Sequence, residues 1–349
     1  MKSNKLTRRN FIEKSAIGLG AGALLSHQSA ASVINKQPRL NQEEKLPREV
    51  WIATLGQQGM ESSDYKDMIS QVLRSFDEIK QYKPDIICLP EVFPSYANSE
   101  RYSMKDVAEK PIGDITRPFA EFAKKNNCYI ICPIHTIDQG KYYNAAVVID
   151  RQGKCMGEYR KIHPTIGEIE GGTFTGPIDP PVFKTDFGII GIQICFDINW
   201  DDAWKRLRKK GAEIVFWVSA FGGGSRVNTM AWQNKYYVVS STNKDTTKIC
   251  DITGEEIAST GRWNRRWACA PVNLEKVFLH SWPYVQRFNE IKAKYGRKVN
   301  IKSFHEEEWS IIESRSPDVK VSDIMKEFDL KSHEEHIAMA EEVQTQVRK

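Results

Sequence analysis

Short apolar runs alternate along this chain with longer stretches whose apolar residues recur at helical spacing. Val50 to Leu55 reads as a buried strand, and Tyr65 to Lys80 sets Met68, Ile69, Val72, Leu73, Phe76 and Ile79 on one helical face. Asp85-Ile86-Ile87-Cys88-Leu89 supplies the next strand and stops at Pro90, so Glu91 stands just beyond its carboxyl end. Phe119 to Lys125 is helical, Tyr129 to Cys132 and Asn144 to Ile149 are extended, and Asp150-Arg151-Gln152-Gly153 is a turn.

The clearest pair is central. Phe187 to Ile194 is a strand that delivers Cys195, Asp202 to Lys210 a charged helix, and Ile214 to Ser219 a second buried strand. Phe221-Gly222-Gly223-Gly224 reads as a permissive loop, Met230 to Tyr237 as a helix and Val238 to Ser241 as a strand. This alternation predicts an α/β layered domain, in which ligands bind beyond the carboxyl ends of strands; Glu91 and Cys195 both stand in such places. From Trp282 the pattern becomes polar and charged, with helical stretches at Ser322 to Phe328 and Ser332 to Val343. Residues 283–349 therefore read as an appended arm that packs on the domain of residues 49–282 or on a neighbouring subunit.

The amino-terminus has a different grammar. Lys2, Lys5, Arg8, Arg9 and Lys14 precede an apolar run from Ala16 to Leu25 and then the small residues Ser29, Ala30 and Ala31, the three-part pattern of a secretory signal over residues 1–31. Ten residues rise only about 15 Å as a helix, half of a bilayer core, so a permanent membrane anchor is not expected. Thr7-Arg8-Arg9-Asn10-Phe11-Ile12-Glu13-Lys14 resembles the twin-arginine export motif, which implies passage of a folded protein through the twin-arginine machinery to the periplasm, with cleavage near Ala31. Residues 32–48, with Pro38 and Pro47, suit a linker.

Setting that segment aside changes the charge balance from 50 Lys and Arg against 45 Asp and Glu to 45 against 44. A nearly neutral chain has no excess of cations for a phosphate backbone, so nucleic acid is not the expected partner. The cluster Lys205-Arg206-Leu207-Arg208-Lys209-Lys210 reads as the solvated face of a helix. Seven cysteines at irregular spacing give no disulfide framework, and Cys128 and Cys132, without a second pair, give no zinc site.

Cysteine attacks a carbonyl as its thiolate, and a free thiol with a pKa of about 8.5 needs a base to supply that form at neutral pH. A carboxylate at a strand end can take the proton and later return it to a departing amine, while a lysine beside both stabilises the anionic intermediate. Three segments supply these groups: Ile87-Cys88-Leu89-Pro90-Glu91-Val92-Phe93, Gly157-Glu158-Tyr159-Arg160-Lys161-Ile162-His163-Pro164 and Gly191-Ile192-Gln193-Ile194-Cys195-Phe196-Asp197. In type, order and spacing they resemble the three signature blocks of the nitrilase, or carbon–nitrogen hydrolase, superfamily.

That resemblance covers roughly Val50 to Val272 and implies a four-layer αββα sandwich that pairs into homodimers or larger assemblies. It implies Glu91 as general base and acid, Lys161 as oxyanion stabiliser, Cys195 as the acylated nucleophile and the Phe196 N–H as part of the oxyanion hole. Neither metal nor organic cofactor enters those steps. Many members add a second glutamate that orients substrate or water; the spacing to Pro177 favours Glu170 over Glu168. Where the family often continues Arg-Phe-Pro-Glu, this chain has Ile198-Asn199-Trp200-Asp201-Asp202, which makes Asn199 and Trp200 candidates for shaping the pocket. Cys-Phe-Asp looks more like the amidase and carbamoylase branches than the Cys-Trp-Glu of true nitrilases, so a linear amide or N-carbamoyl compound is the expected substrate. The alternatives are a nitrilase proper, acyl transfer to an amine, and a catalytically silent binding scaffold.

Overall fold

The computed structural model describes residues 45–264 and 266–348. The expected signal sequence over residues 1–31, with its twin-arginine-like motif, and residues 32–44 of the expected linker lie outside the described residues. In chain order the first half comprises β1 (Glu49–Leu55), α1 (Tyr65–Ile79), β2 (Ile86–Cys88), α2 (Arg117–Asn126), β3 (Tyr129–Asp138), β4 (Lys141–Ile149), β5 (Cys155–Arg160) and α3 (Ile166–Glu170). There follow β6 (Val182–Lys184), β7 (Ile189–Ile194), α4 (Asp201–Lys209), β8 (Ile214–Ser219), α5 (Ser225–Asn234), β9 (Tyr237–Thr242), β10 (Lys248–Cys250), β11 (Glu256–Ser259) and β12 (Trp267–Asn273). The last part holds β13 (Lys276–His280), α6 (Phe288–Tyr295), β14 (Val299–Phe304), β15 (Trp309–Ser314), α7 (Val321–Glu327) and α8 (His333–Val347).

Two six-stranded sheets form the centre, ordered β12-β1-β2-β3-β4-β5 and β11-β10-β9-β8-β7-β6. The middle pairs β1–β2, β2–β3, β7–β8 and β8–β9 are parallel, with antiparallel strands toward the edges. Strands buried on both faces read as continuous apolar runs, and β8 shows how both faces are used. Its Ile214, Phe216 and Val218 point into the core between the sheets with Ile52, Ile131 and Ile192, while Val215 and Trp217 join Trp204, Leu207 and Met230 beneath α4 and α5. On the other side, Met68, Val72 and Phe76 of α1 and Phe119 of α2 pack against Ala53, Ile87 and Ile130 of the first sheet. The result is the αββα sandwich that the signature blocks implied. Asp64 caps α1 by accepting the Asp67 N–H, which fixes where the helix starts.

Two parts differ from expectation. α5 begins five residues before Met230 and ends at Asn234, because Lys235 takes φ +56° and turns wholly buried Tyr236 into the core ahead of β9. Gly223 makes the entry to α5 possible: its φ is +70°, and a Cβ there would lie 2.7 Å from the Trp217 ring. The second difference lies beyond Trp282, where the polar stretch holds β14 and β15 as well as helices. These strands join β13 in a third sheet, β13-β15-β14, so this unit draws on residues from both sides of position 282. Its core of Leu279, Phe288, Ile291, Ile312 and Ile324 lies under α6 and α7. Among the described residues no helix is long and apolar enough to cross a membrane.

Candidate active site

The carboxyl ends of strands from both central sheets converge on a cavity of about 370 Å³ lined by Glu91, His135, Asn144, Lys161, Glu168 and Cys195, together with residues that include Val92, Tyr96, Ala220 and Asn243. Lys161 follows β5 directly, Cys195 follows β7, Ala220 follows β8 and Asn243 follows β9. A buried polar seam ties the sheets together beneath the cavity. Thr54 Oγ1 donates to the Ser240 carbonyl at 2.6 Å, Ser241 Oγ to that of Leu55 at 2.7 Å, and Asn243 Nδ2 to that of Glu91 at 3.0 Å. Buried polar groups held this way fix backbone position as well as satisfying their own hydrogen bonds.

Cys195 sits at a sharp turn with φ +46°, a conformation that costs a residue with a side chain roughly 1–2 kcal/mol. Asp197, wholly buried, holds the turn. Its Oδ2 accepts the Ile194 N–H at 3.0 Å and the Tyr159 hydroxyl at 2.7 Å, and its Oδ1 accepts the His163 N–H at 2.8 Å. Trp217 Nε1 donates to the Cys195 carbonyl at 3.1 Å. The turn that presents the thiol is therefore tied to β5, to the segment after it and to β8. Burial pushes the Cys195 thiol up to about 12, with the Glu91 charge adding to the shift and Lys161 opposing it. At neutral pH the group rests as a thiol.

Lys161 is 1% exposed and lies between two carboxylates: its Nζ is 2.9 Å from Glu91 Oε1, and 3.0 and 2.8 Å from Glu168 Oε1 and Oε2. Burial disfavours its charge, but the two carboxylates outweigh burial and hold the ammonium above its ordinary range. Glu168 lies below the usual carboxylate range: burial raises it, and Lys161, with the hydrogen bonds from Asn144 and the Thr165 N–H, more than offsets that. The remaining oxygen of Glu91, Oε2, accepts the Ala220 N–H at 2.8 Å. His135, across the cavity, is lowered to about 4 by burial and is neutral at physiological pH.

Glu91, Lys161 and Cys195 thus meet at one cavity. The second glutamate there is Glu168, which corrects the spacing argument for Glu170. Thr165 and Glu168 form a reciprocal cap on α3, with the Glu168 N–H donating to Thr165 Oγ1 and the Thr165 N–H donating to Glu168 Oε2 at 2.7 Å. This turns the Glu168 carboxylate inward to Lys161, and Glu170, two residues on, is exposed. Thr165-x-x-Glu168 is a capping signature that could have been read from the sequence. Asn199 and Trp200 are also displaced from their expected place, for neither lines the cavity. Asn199 Oδ1 accepts from Arg226, and Trp200 stacks on His163 with ring centroids 3.9 Å apart, so both brace the outer side of the Cys195 turn. The Phe196 ring is partly exposed and packs edge-on against Trp200. Asn144, which touches both glutamates, carried no sequence signal.

A larger surface groove of about 960 Å³ runs past Arg208, Lys326, Lys331 and Glu335 beside the carboxy-terminal arm. Its lining among the described residues includes no cysteine.

Residues 52–279 match the carbon-nitrogen hydrolase family model, and the chain belongs to that family. It is 36% identical over 148 residues to a beta-ureidopropionase of Arabidopsis thaliana, covering 40% of this chain and 36% of the relative. An omega-amidase of Xenopus tropicalis is 29% identical over 161 residues, 44% of this chain and 58% of the relative. Each match spans less than two thirds of the relative's own length. Among solved structures, Nit3 of Saccharomyces cerevisiae, a member of branch 10 of the nitrilase superfamily, has a TM-score of 0.57 at 18% identity over 72% of this chain and 96% of its own. An amidase from Nesterenkonia sp. has a TM-score of 0.56 at 13% identity, over 70% and 96%. At these identities the likeness is one of fold.

Proposed function

We propose that this protein hydrolyses a non-peptide C–N bond in a linear amide or N-carbamoyl compound, with Glu91, Lys161 and Cys195 as its catalytic triad. The observation that carries the reading is the buried lysine held between two carboxylates at the same cavity as a protonated cysteine. In the proposed course Cys195 Sγ bonds to the substrate carbonyl carbon while its proton passes to Glu91. A lysine has three N–H donors; if the two Glu168 oxygens share one and Glu91 takes another, the third remains for the developing oxyanion, joined by the Phe196 N–H. Collapse breaks the C–N bond, and Glu91 returns the proton to the departing nitrogen. Water then attacks the thioester with Glu91 as base, releasing the acid and restoring the thiol.

Glu168 in this reading orients substrate or water. Glu168→Gln is expected to lower kcat/KM about 10- to 100-fold, whereas exposed Glu170→Gln stays within about twofold of the parent. Equal effects of the two changes would reverse the assignment. The amino-terminal motif supports export through the twin-arginine route to the periplasm, and the family resemblance supports a homodimer or larger assembly.

The test of the function is to incubate the protein with amides, N-carbamoyl amino acids and nitriles while following ammonia and intact mass. Ammonia from an amide or carbamoyl compound, with an acyl adduct on Cys195, is the expected result. Turnover of nitriles alone would make it a nitrilase, and neither turnover nor adduct across the panel would leave the scaffold reading.

A further inference from the structure

Asn144 is a β4 residue, 1% exposed, that sits where the two carboxylates of the cavity approach each other. Its Nδ2 donates to Glu91 Oε1 at 2.8 Å and to Glu168 Oε1 at 2.8 Å. Its backbone carbonyl accepts the Lys161 backbone N–H at 2.8 Å, so one residue contacts both carboxylates and the main chain of the lysine between them. The amide orientation follows from its neighbours: the reverse would turn Oδ1 against two carboxylate oxygens. As it stands, Oδ1 accepts no hydrogen bond among the described residues.

The two oxygens of Glu91 are thereby made unequal. Oε1 accepts from both Lys161 and Asn144, and among the described residues Oε2 accepts only from the Ala220 backbone N–H. A carboxylate oxygen with two strong donors is the poorer proton acceptor, since each donor stabilises its charge. We infer that Asn144 is a positioning residue that directs the Cys195 proton to Glu91 Oε2 and bridges Glu91 and Glu168 beside a single lysine. Without it, two carboxylates share one cation with no neutral bridge between them, and like charges at close range favour uptake of a proton.

This inference rests on Glu91 acting as the base, and its test reads the thiol directly rather than through turnover. The rate of Cys195 alkylation by iodoacetamide is followed from the mass of the Cys195-containing peptide, which separates it from exposed Cys155, from pH 4 to 9 in the full-length protein and in Asn144→Asp, Asn144→Leu and Glu91→Gln. Asn144→Asp adds a third carboxylate and is expected to move the acid limb of the profile upward by about one pH unit or more. Asn144→Leu, which removes both N–H donors at similar volume, is expected to move it in the same direction by less. On the best substrate, kcat should fall about tenfold or more in both, with KM changed little. Acid limbs that superpose on the parent's, with only the melting temperature lowered, would overturn the inference and leave Asn144 a structural residue. Parental alkylation and turnover in Glu91→Gln would instead remove the base assignment itself, a separate and distinguishable failure.

Discussion

Replacing Cys195 with alanine is expected to abolish turnover, by a factor on the order of 10⁴ or more, while leaving the fold intact. No other thiol can take over. Cys195 is the one cysteine among the described residues that lines the cavity, while Cys88, Cys128, Cys132 and Cys250 are buried elsewhere and Cys155 is exposed. The structural cost should be small, because Asp197 and Trp217 hold the turn through backbone groups that the variant keeps. The melting temperature should therefore stay within a few degrees of the parent's. Cys195→Ser should be nearly as inactive, since a hydroxyl is harder still to deprotonate than the buried thiol. Ammonia release and intact mass with a reactive amide check both variants; residual turnover above about one part in a hundred, or an acyl adduct elsewhere, would remove Cys195 as nucleophile.

The second large effect belongs to Lys161. Lys161→Met leaves Glu91 and Glu168 buried together without their shared cation, a loss of about 3–5 kcal/mol by comparison with other broken buried pairs, and turnover should disappear with it. The pH dependence separates this mechanism from mere loss of packing. Lys161 is raised in the folded protein, so its contribution is fully present below the unfolded value of about 10.4 and is lost only as pH rises through the higher folded value. Glu168 is lowered, so its contribution is present above about 4.3 and is lost as pH falls through the lower folded value. In the parent, both contributions are therefore constant between pH 5 and 8. In Lys161→Met the carboxylates favour proton uptake, and urea denaturation should find the variant less destabilised at pH 5 than at pH 8. A constant difference from the parent across that range would show that charge compensation is not what Lys161 supplies.

How much of this was legible depended on how completely each segment's burial was written into its composition. β8, buried on both faces, spans Ile214–Ser219 as its uninterrupted apolar run predicts. β14 is half-covered, and its polar alternation at Lys302 and Ser303 resembles a surface segment until β15 pairs with it. α5 was misplaced because Tyr236 and Tyr237 continue an apolar pattern that the left-handed Lys235 interrupts, and a positive φ at lysine has no sequence signature. Glu91, Lys161 and Cys195 stood out through strand-end positions and motifs. Glu168 was ranked behind Glu170 because spacing to a proline was weighed above a capping box that fixes side-chain direction. Asn144 lay inside a strand that reads simply as core, where nothing local shows that its amide bridges residues 53 and 24 positions away.

The pairing of β1 with β12 has a consequence for how the chain comes to be folded. Glu49 lies opposite Asn273 and Leu55 opposite Trp267, so the first strand of the domain waits for one more than two hundred residues downstream. Closing so long a loop precedes most of the gain from burying the inner face of that sheet, which makes for a slow, late step. A nascent chain cannot complete this layer until residue 273 has left the ribosome, and until then β1 presents an unpaired edge. Closure of this sheet must therefore follow the emergence of β12, and a transport route that accepts only finished proteins would have to wait for it.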